Sequence, residues 1–124
     1  MLGGNEVCAT IAVSDMDAAK KFYGETLGLE AGREGGGGIF YTSGSGGIFV
    51  YQSASAGTNK ATYAAWMVDD VEATVSDLKT KGVSFQQYDD LPGERQGDIH
   101  IMGDIKSAWF TDPDGNILNV VNGM

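Results

Sequence analysis

Few side chains in this chain are equipped for covalent or acid–base work, and their spacing narrows what that work is. There is one cysteine, Cys8, and one histidine, His100. A cysteine nucleophile needs a base or a lowered pKa beside it. Nothing in the sequence identifies such a partner, so Cys8 is expected to behave as a small buried apolar group. His100, between Ile99 and Ile101, alternates to one face of a strand and is expected to be a partly exposed structural histidine. Tyr63 offers a hydroxyl suited to donating to a ligand, and less to catalysis. Between Glu34 and Asp69 there is no Asp, Glu or His at all. Divalent-metal sites are built from His, carboxylate or thiolate, so the middle of the chain is poor in donors. Asp112-Pro113-Asp114-Gly115-Asn116 reads as a tight turn, with Asp112 and Asn116 as its formers rather than as catalysts.

The elements that must position these groups come from a repeat. An offset of 55 residues carries Cys8 onto Tyr63, Ala9 onto Ala64, Val13 onto Val68, Asp15 onto Asp70 and Ala18 onto Ala73. Each copy reads as an apolar strand, an acidic turn and an amphipathic helix ending near glycine. Neither half buries its apolar face alone, so the halves are expected to stack. Val7–Val13 predicts the first strand, and Ser14 followed by Asp17 predicts a capping box. Met16, Ala19, Phe22, Tyr23 and Leu27 form the stripe of the first helix. Strands follow at 29–33, 39–42 and 47–52. After a small polar linker at 53–59, the second half reads as a strand at 60–68 and a helix capped by Asp69 or Asp70. Val71, Val75 and Leu78 face inward on that helix. Strands at 83–88, 99–102, 105–111 and 117–121 follow, with 89–98 as a loop. One helix and several following strands per half favour α+β over a doubly wound sheet. Gly35–Gly38 and Gly44–Gly47 lie between strands rather than before a helix, so they predict hairpin turns, not a phosphate cradle.

At 124 residues the chain is long enough for one core and predicts a single domain. A net charge of −9 argues against nucleic acid; it reads first as solubility and, more sharply, as a preference for a cationic or neutral ligand. The single cysteine and the lack of a basic-then-apolar opening stretch or a long apolar run predict a cytoplasmic, non-membrane protein.

The motifs Ile11-Ala12-Val13-Ser14-Asp15, Phe22-Tyr23, Leu27-Gly28-Leu29, Val68-Asp69-Asp70-Val71-Glu72-Ala73 and Trp109-Phe110-Thr111-Asp112-Pro113-Asp114-Gly115-Asn116-Ile117 run in order through nearly the whole chain. In them the chain resembles the vicinal oxygen chelate superfamily of glyoxalase I, bleomycin-resistance proteins and extradiol dioxygenases. The resemblance implies an α+β domain of two βαβββ modules, at about 5–52 and 61–122, whose sheet curls around an open cavity. It also implies a homodimer. Metal-using members take ligands from the first and last strands of each module. Those positions here fall on Cys8, Tyr63, Asn119 and either Val50 or Tyr51, so no metal and no cofactor is expected.

The ligand-facing side that carries Cys8 and Tyr63 also carries Thr10, Ala65 and Met67, by strand alternation. Ala64, Trp66 and Val68 take the other side, with Trp66 in the core. Trp109 falls at a position that lines the pocket in glyoxalase-like relatives, with plain core packing as the competing role. Phe40, Phe49 and Tyr51 offer further stacking surface. The expected function is metal-free binding of an organic, antibiotic-like small molecule in an aromatic-lined cavity, using Cys8, Thr10, Phe49, Tyr51, Tyr63, Ala65, Met67, Trp109 and Asn119. The alternative is an enzyme of the same superfamily — a lyase, isomerase or dioxygenase — without metal or with an unrecognised metal site.

Overall fold

A computed structural model describes residues 1–123, which divide into two compact units, Met1–Asn59 and Lys60 onward. The first unit opens with a 3-10 turn at Leu2–Gly4 and strand β1 (Ala9–Val13). Helix α1 (Met16–Ala19) runs on into a π-helical segment at Lys20–Thr26. Strands β2 (Glu30–Gly35), β3 (Gly38–Ser43) and β4 (Gly46–Gln52) complete it. The sheet order is β1-β4-β3-β2, with β1 parallel to β4 and the other pairs antiparallel. This is the βαβββ order that the sequence implied.

The cap of α1 is Asp15 rather than Ser14. Its carboxylate accepts from the N–H groups of Asp17 at 2.9 Å and Ala18 at 3.2 Å. A charged acceptor at the positive end of the helix outcompetes the hydroxyl one residue earlier, and the Ser14 carbonyl is taken by Gln52 Nε2 at 3.2 Å. Beyond Ala19 the helix widens, with Leu27 N–H reaching the Phe22 carbonyl at 2.8 Å. Of the expected apolar stripe, Ala19 and Tyr23 are buried, while Met16, Phe22 and Leu27 are half-buried. Tyr23 meets Tyr41 on the sheet, ring centroids 6.2 Å apart. Gly36 and Gly37, both at positive φ, close the β2–β3 hairpin.

The second unit comprises β5 (Thr62–Met67), helix α2 (Val71–Thr80), β6 (Phe85–Gln86), β7 (Glu94–Gln96), β8 (Ile99–Met102), β9 (Ile105–Thr111) and β10 (Ile117–Val121). Its sheet runs β5-β10-β9-β8-β7, and β6 also pairs with β9. Asp70 caps α2 by accepting from Ala73 N–H at 3.0 Å. Val71, Val75 and Leu78 are buried, and α2 lies on β9 and β10.

The strand expected over 83–88 is cut to two residues, and the expected loop at 89–98 contributes β7. The shortening of β6 has its cause in the pairing of β9. Gln86 pairs with Trp109, so a longer β6 would place Tyr88 opposite Ser107. That place on the edge of β9 is held by His100 of β8. The Tyr88 N–H is satisfied by the His100 ring instead, donating to Nε2 at 3.0 Å. No helix among the described residues is long and apolar enough to cross a membrane.

Candidate functional site

In the first unit one sheet face is buried under α1 through Ile11, Val13, Ile39, Tyr41, Ile48 and Val50. Strand alternation then assigns the helix-free face. Thr10 pairs with Phe49, Ala12 with Tyr51, and Phe40 with Phe49. The rings of Phe49 and Tyr51 stack with centroids 6.1 Å apart and planes at 14°. Two glycines let the phenyl rings lie across the sheet. A Cβ on Gly38 would stand 2.7 Å from the Phe49 ring, and one on Gly47 would stand 2.5 Å from the Phe40 ring. A bulge in β2 interrupts the ladder between Ala31, opposite Tyr41, and Glu34, opposite Ile39. Gly32 and Arg33 together oppose Phe40. Arg33, Phe40 and Phe49 border a cavity of 550 Å³ with Glu34, Gly35 and Gly36. Cys8 is exposed, not buried, because pairing of β1 begins one residue later, at Ala9.

In the second unit Ala108, Phe110, Leu118 and Val120 are buried on the helix-packed face. Trp66, half-buried, lies on that side 6.2 Å from the Phe110 ring. The other face brings Trp109 opposite Asn119 and Ala65 opposite Asn119 on the far side of β10. Met67 is on the same face and is 68% exposed. Trp109 is half-buried. Its Nε1 donates to Thr62 Oγ1 at 3.1 Å, and its ring meets Tyr88 and His100 edge-on at 5.5 and 5.0 Å. A cavity of 330 Å³ opens here between Trp109, Thr62, Tyr88, Leu91, Ile117 and Lys60.

Tyr63 is displaced from the place alternation gave it. Thr62 pairs with Ile117 and Ala64 with Leu118, so Tyr63 is the extra residue of a bulge, and Thr62 stands beside Trp109. His100 is 7% exposed, more buried than expected, and borders a second cavity of 220 Å³ with Tyr88, Asp89, Glu94 and Arg95. Its Nε2 is an acceptor, so the neutral ring carries its proton on Nδ1, and that buried atom has no hydrogen-bond partner. The Tyr88 phenol is pushed above its ordinary value, first by burial and then by Asp90. Asn119, 5% exposed, donates from Nδ2 to Ser107 Oγ at 2.7 Å and to the Ala108 carbonyl at 3.0 Å. Arg33, Thr62, Tyr88 and His100 were not legible as site residues, since bulges and the β6–β8 competition leave no mark in a period-two pattern.

The register also bears on the position that the sequence left between Val50 and Tyr51. The 55-residue offset carries Thr10 onto Ala65, and these face Phe49 and Asn119 across their respective ladders. Phe49 is thus the counterpart of Asn119, Phe40 that of Trp109, and Val50 lies on the buried face. Thiol, phenyl, phenol and carboxamide are not a divalent-metal set. Among the described residues no three His, Cys, Asp or Glu gather as a metal-holding group. The residues present do not fit a metal.

Each unit carries one helix on an open mixed sheet, and an internal repeat relates the two. The chain matches the family model of the Glyoxalase/Bleomycin resistance protein/Dioxygenase superfamily over residues 7–120, and it belongs to that superfamily. Its fold is similar to that of a glyoxalase family protein from Enterococcus faecalis, with a TM-score of 0.73 and 21% identity over 98% of this chain and 99% of the other. It is similar also to a bleomycin resistance determinant encoded on the transposon Tn5, at 0.72 and 17% over 96% and 98%. A third similar structure is the fosfomycin resistance protein FosX from Listeria monocytogenes, at 0.68 and 18% over 97% and 91%. No curated protein matches the chain in sequence.

Proposed function

We propose that this chain is a metal-free binding member of its superfamily that sequesters a flat or amphipathic organic molecule. The observation that carries this reading is the donor set. Where the family places metal ligands, this chain has Cys8, Phe49, Tyr63 and Asn119, and beside them aromatic side chains, Phe40, Tyr51 and Trp109. An apolar wall with a few placed polar groups is what a small-molecule site requires. Thr10 supplies such a group in the first unit, and Thr62, the Tyr88 hydroxyl and His100 Nδ1 supply them in the second. The similarity to a bleomycin resistance determinant and to a fosfomycin resistance protein favours antibiotic-like ligands. We further propose a homodimer as the working assembly.

The test is metal content by mass spectrometry after loading untagged protein with Mn, Fe, Ni and Zn in turn, followed by titration with bleomycin and other planar organic compounds under tryptophan fluorescence. Metal far below one equivalent per chain, with saturable quenching by an organic compound, is the expected result. Stoichiometric retention of any one metal overturns the reading.

A further inference from the structure

We propose that the helix-free face of the first unit selects an aromatic anion, with Arg33 as the anchor for the negative group. The inference rests on the reading of that face as a ligand surface and adds the charge of the ligand, which the overall acidity of the chain had suggested to be positive or neutral.

Three independent features point to it. The β2 bulge puts Arg33 with Gly32 opposite Phe40 and sends Glu34 to the other side, opposite Ile39. The Glu34 carboxylate, though its residue borders the cavity, lies 3.4 Å from Lys20 Nζ. Secondly, the described residues place no hydrogen bond or ion pair on the Arg33 guanidinium. Arg95, the other arginine, is spent on Asp89 and the Gly97 carbonyl. Thirdly, β3 and β4 carry no acid at all in a chain of net charge −9. The carboxylate that shares this face is Glu30, opposite Thr42 at the far end from the β2–β3 turn. A guanidinium beside two phenyl faces cleared by glycine matches a planar ring bearing a carboxylate, sulfonate or phosphonate. The fork engages two oxygens while the rings stack.

The test compares two dyes that share one ring system, anilinonaphthalene sulfonate and the uncharged phenylnaphthylamine, by fluorescence titration. Wild type should bind the sulfonate more tightly. R33Q should weaken the sulfonate about tenfold and leave the neutral dye unchanged, whereas R33K should keep part of the preference. F49A should weaken both dyes, and K21Q, a charge change on the exposed side of the helix, should change neither. Equal binding of the two dyes, or a sulfonate affinity indifferent to R33Q with the fold intact by circular dichroism, overturns the anion assignment alone. If F49A affects neither dye, the face is not a ligand surface and the underlying reading falls with it.

Discussion

Trp109, Asp112 and His100 show how single side chains divide between holding the second unit together and presenting a surface. Trp109 is half-buried, with its indole N–H on Thr62 and its ring on Tyr88 and His100. Trp109→Ala should abolish ligand-induced fluorescence changes while costing roughly 2 kcal/mol, below the range for a fully buried aromatic. A urea titration beside the binding assay separates the two effects, and outright unfolding would return Trp109 to the core. Asp112 is different. It accepts from Asp114 N–H, Asn116 N–H and Asn116 Nδ2 at 3.0, 2.9 and 2.8 Å while only 5% exposed. Asp112→Ala leaves these donors without their acceptor and should cost roughly 2–4 kcal/mol, read as a shifted denaturation midpoint. The His100 ring should give nitrogen NMR shifts of the Nδ1–H tautomer. The opposite tautomer would mean that Nε2 does not accept the Tyr88 N–H.

At the level of elements, a glycine sets how β3 and β4 pack and an ion pair ties α2 to the approach of β8. Gly38→Ala forces a methyl into the Phe49 ring and the Val50 carbonyl. The ring must turn or the β3–β4 ladder must part. The expected cost is about 1–3 kcal/mol, with loss of dye binding on that face. The last turn of α2 is tied to the approach of β8 by Lys79 and Asp98, and Gln87 Nε2 donates to the same carboxylate at 3.1 Å. The hydrogen bond from Lys79 holds the Asp98 carboxyl below its ordinary 3.8. A depressed carboxyl stabilises the fold above its unfolded pKa, and that contribution is lost as pH falls through the lower folded value. Asp98→Asn should therefore flatten the acid limb of a stability-versus-pH curve below about pH 4. At neutral pH it should cost no more than about 1 kcal/mol, since Lys79 is half exposed. An unchanged acid limb would show that the pair carries none of the dependence.

For the whole molecule, the proposed homodimer predicts sedimentation at twice the chain mass of 13.0 kDa at micromolar concentration. A single-chain mass would remove the dimer without touching either sheet face. Much of this protein was legible in its residues. The 55-residue repeat gave two strand–helix halves, the Asp69–Asp70 pair and the Val71–Val75–Leu78 stripe gave the second helix, and β9 and β10 fall where the apolar pattern placed them. Those features are local. A cap, a helical stripe and a period of two are set by neighbours within a few residues, so the chain order alone encodes them. The site depended on contacts that local order does not encode. Whether Tyr63 or Thr62 meets Trp109 depends on a bulge in the parallel ladder. Whether Arg33 joins Phe40 depends on another, and the burial of His100 depends on β8 displacing the end of β6 from β9. Each is a competition between backbone partners distant in sequence. A one-residue slip in such pairing sends a side chain to the opposite face, which is why the sequence determined the elements and the tertiary structure decided the face each site residue presents.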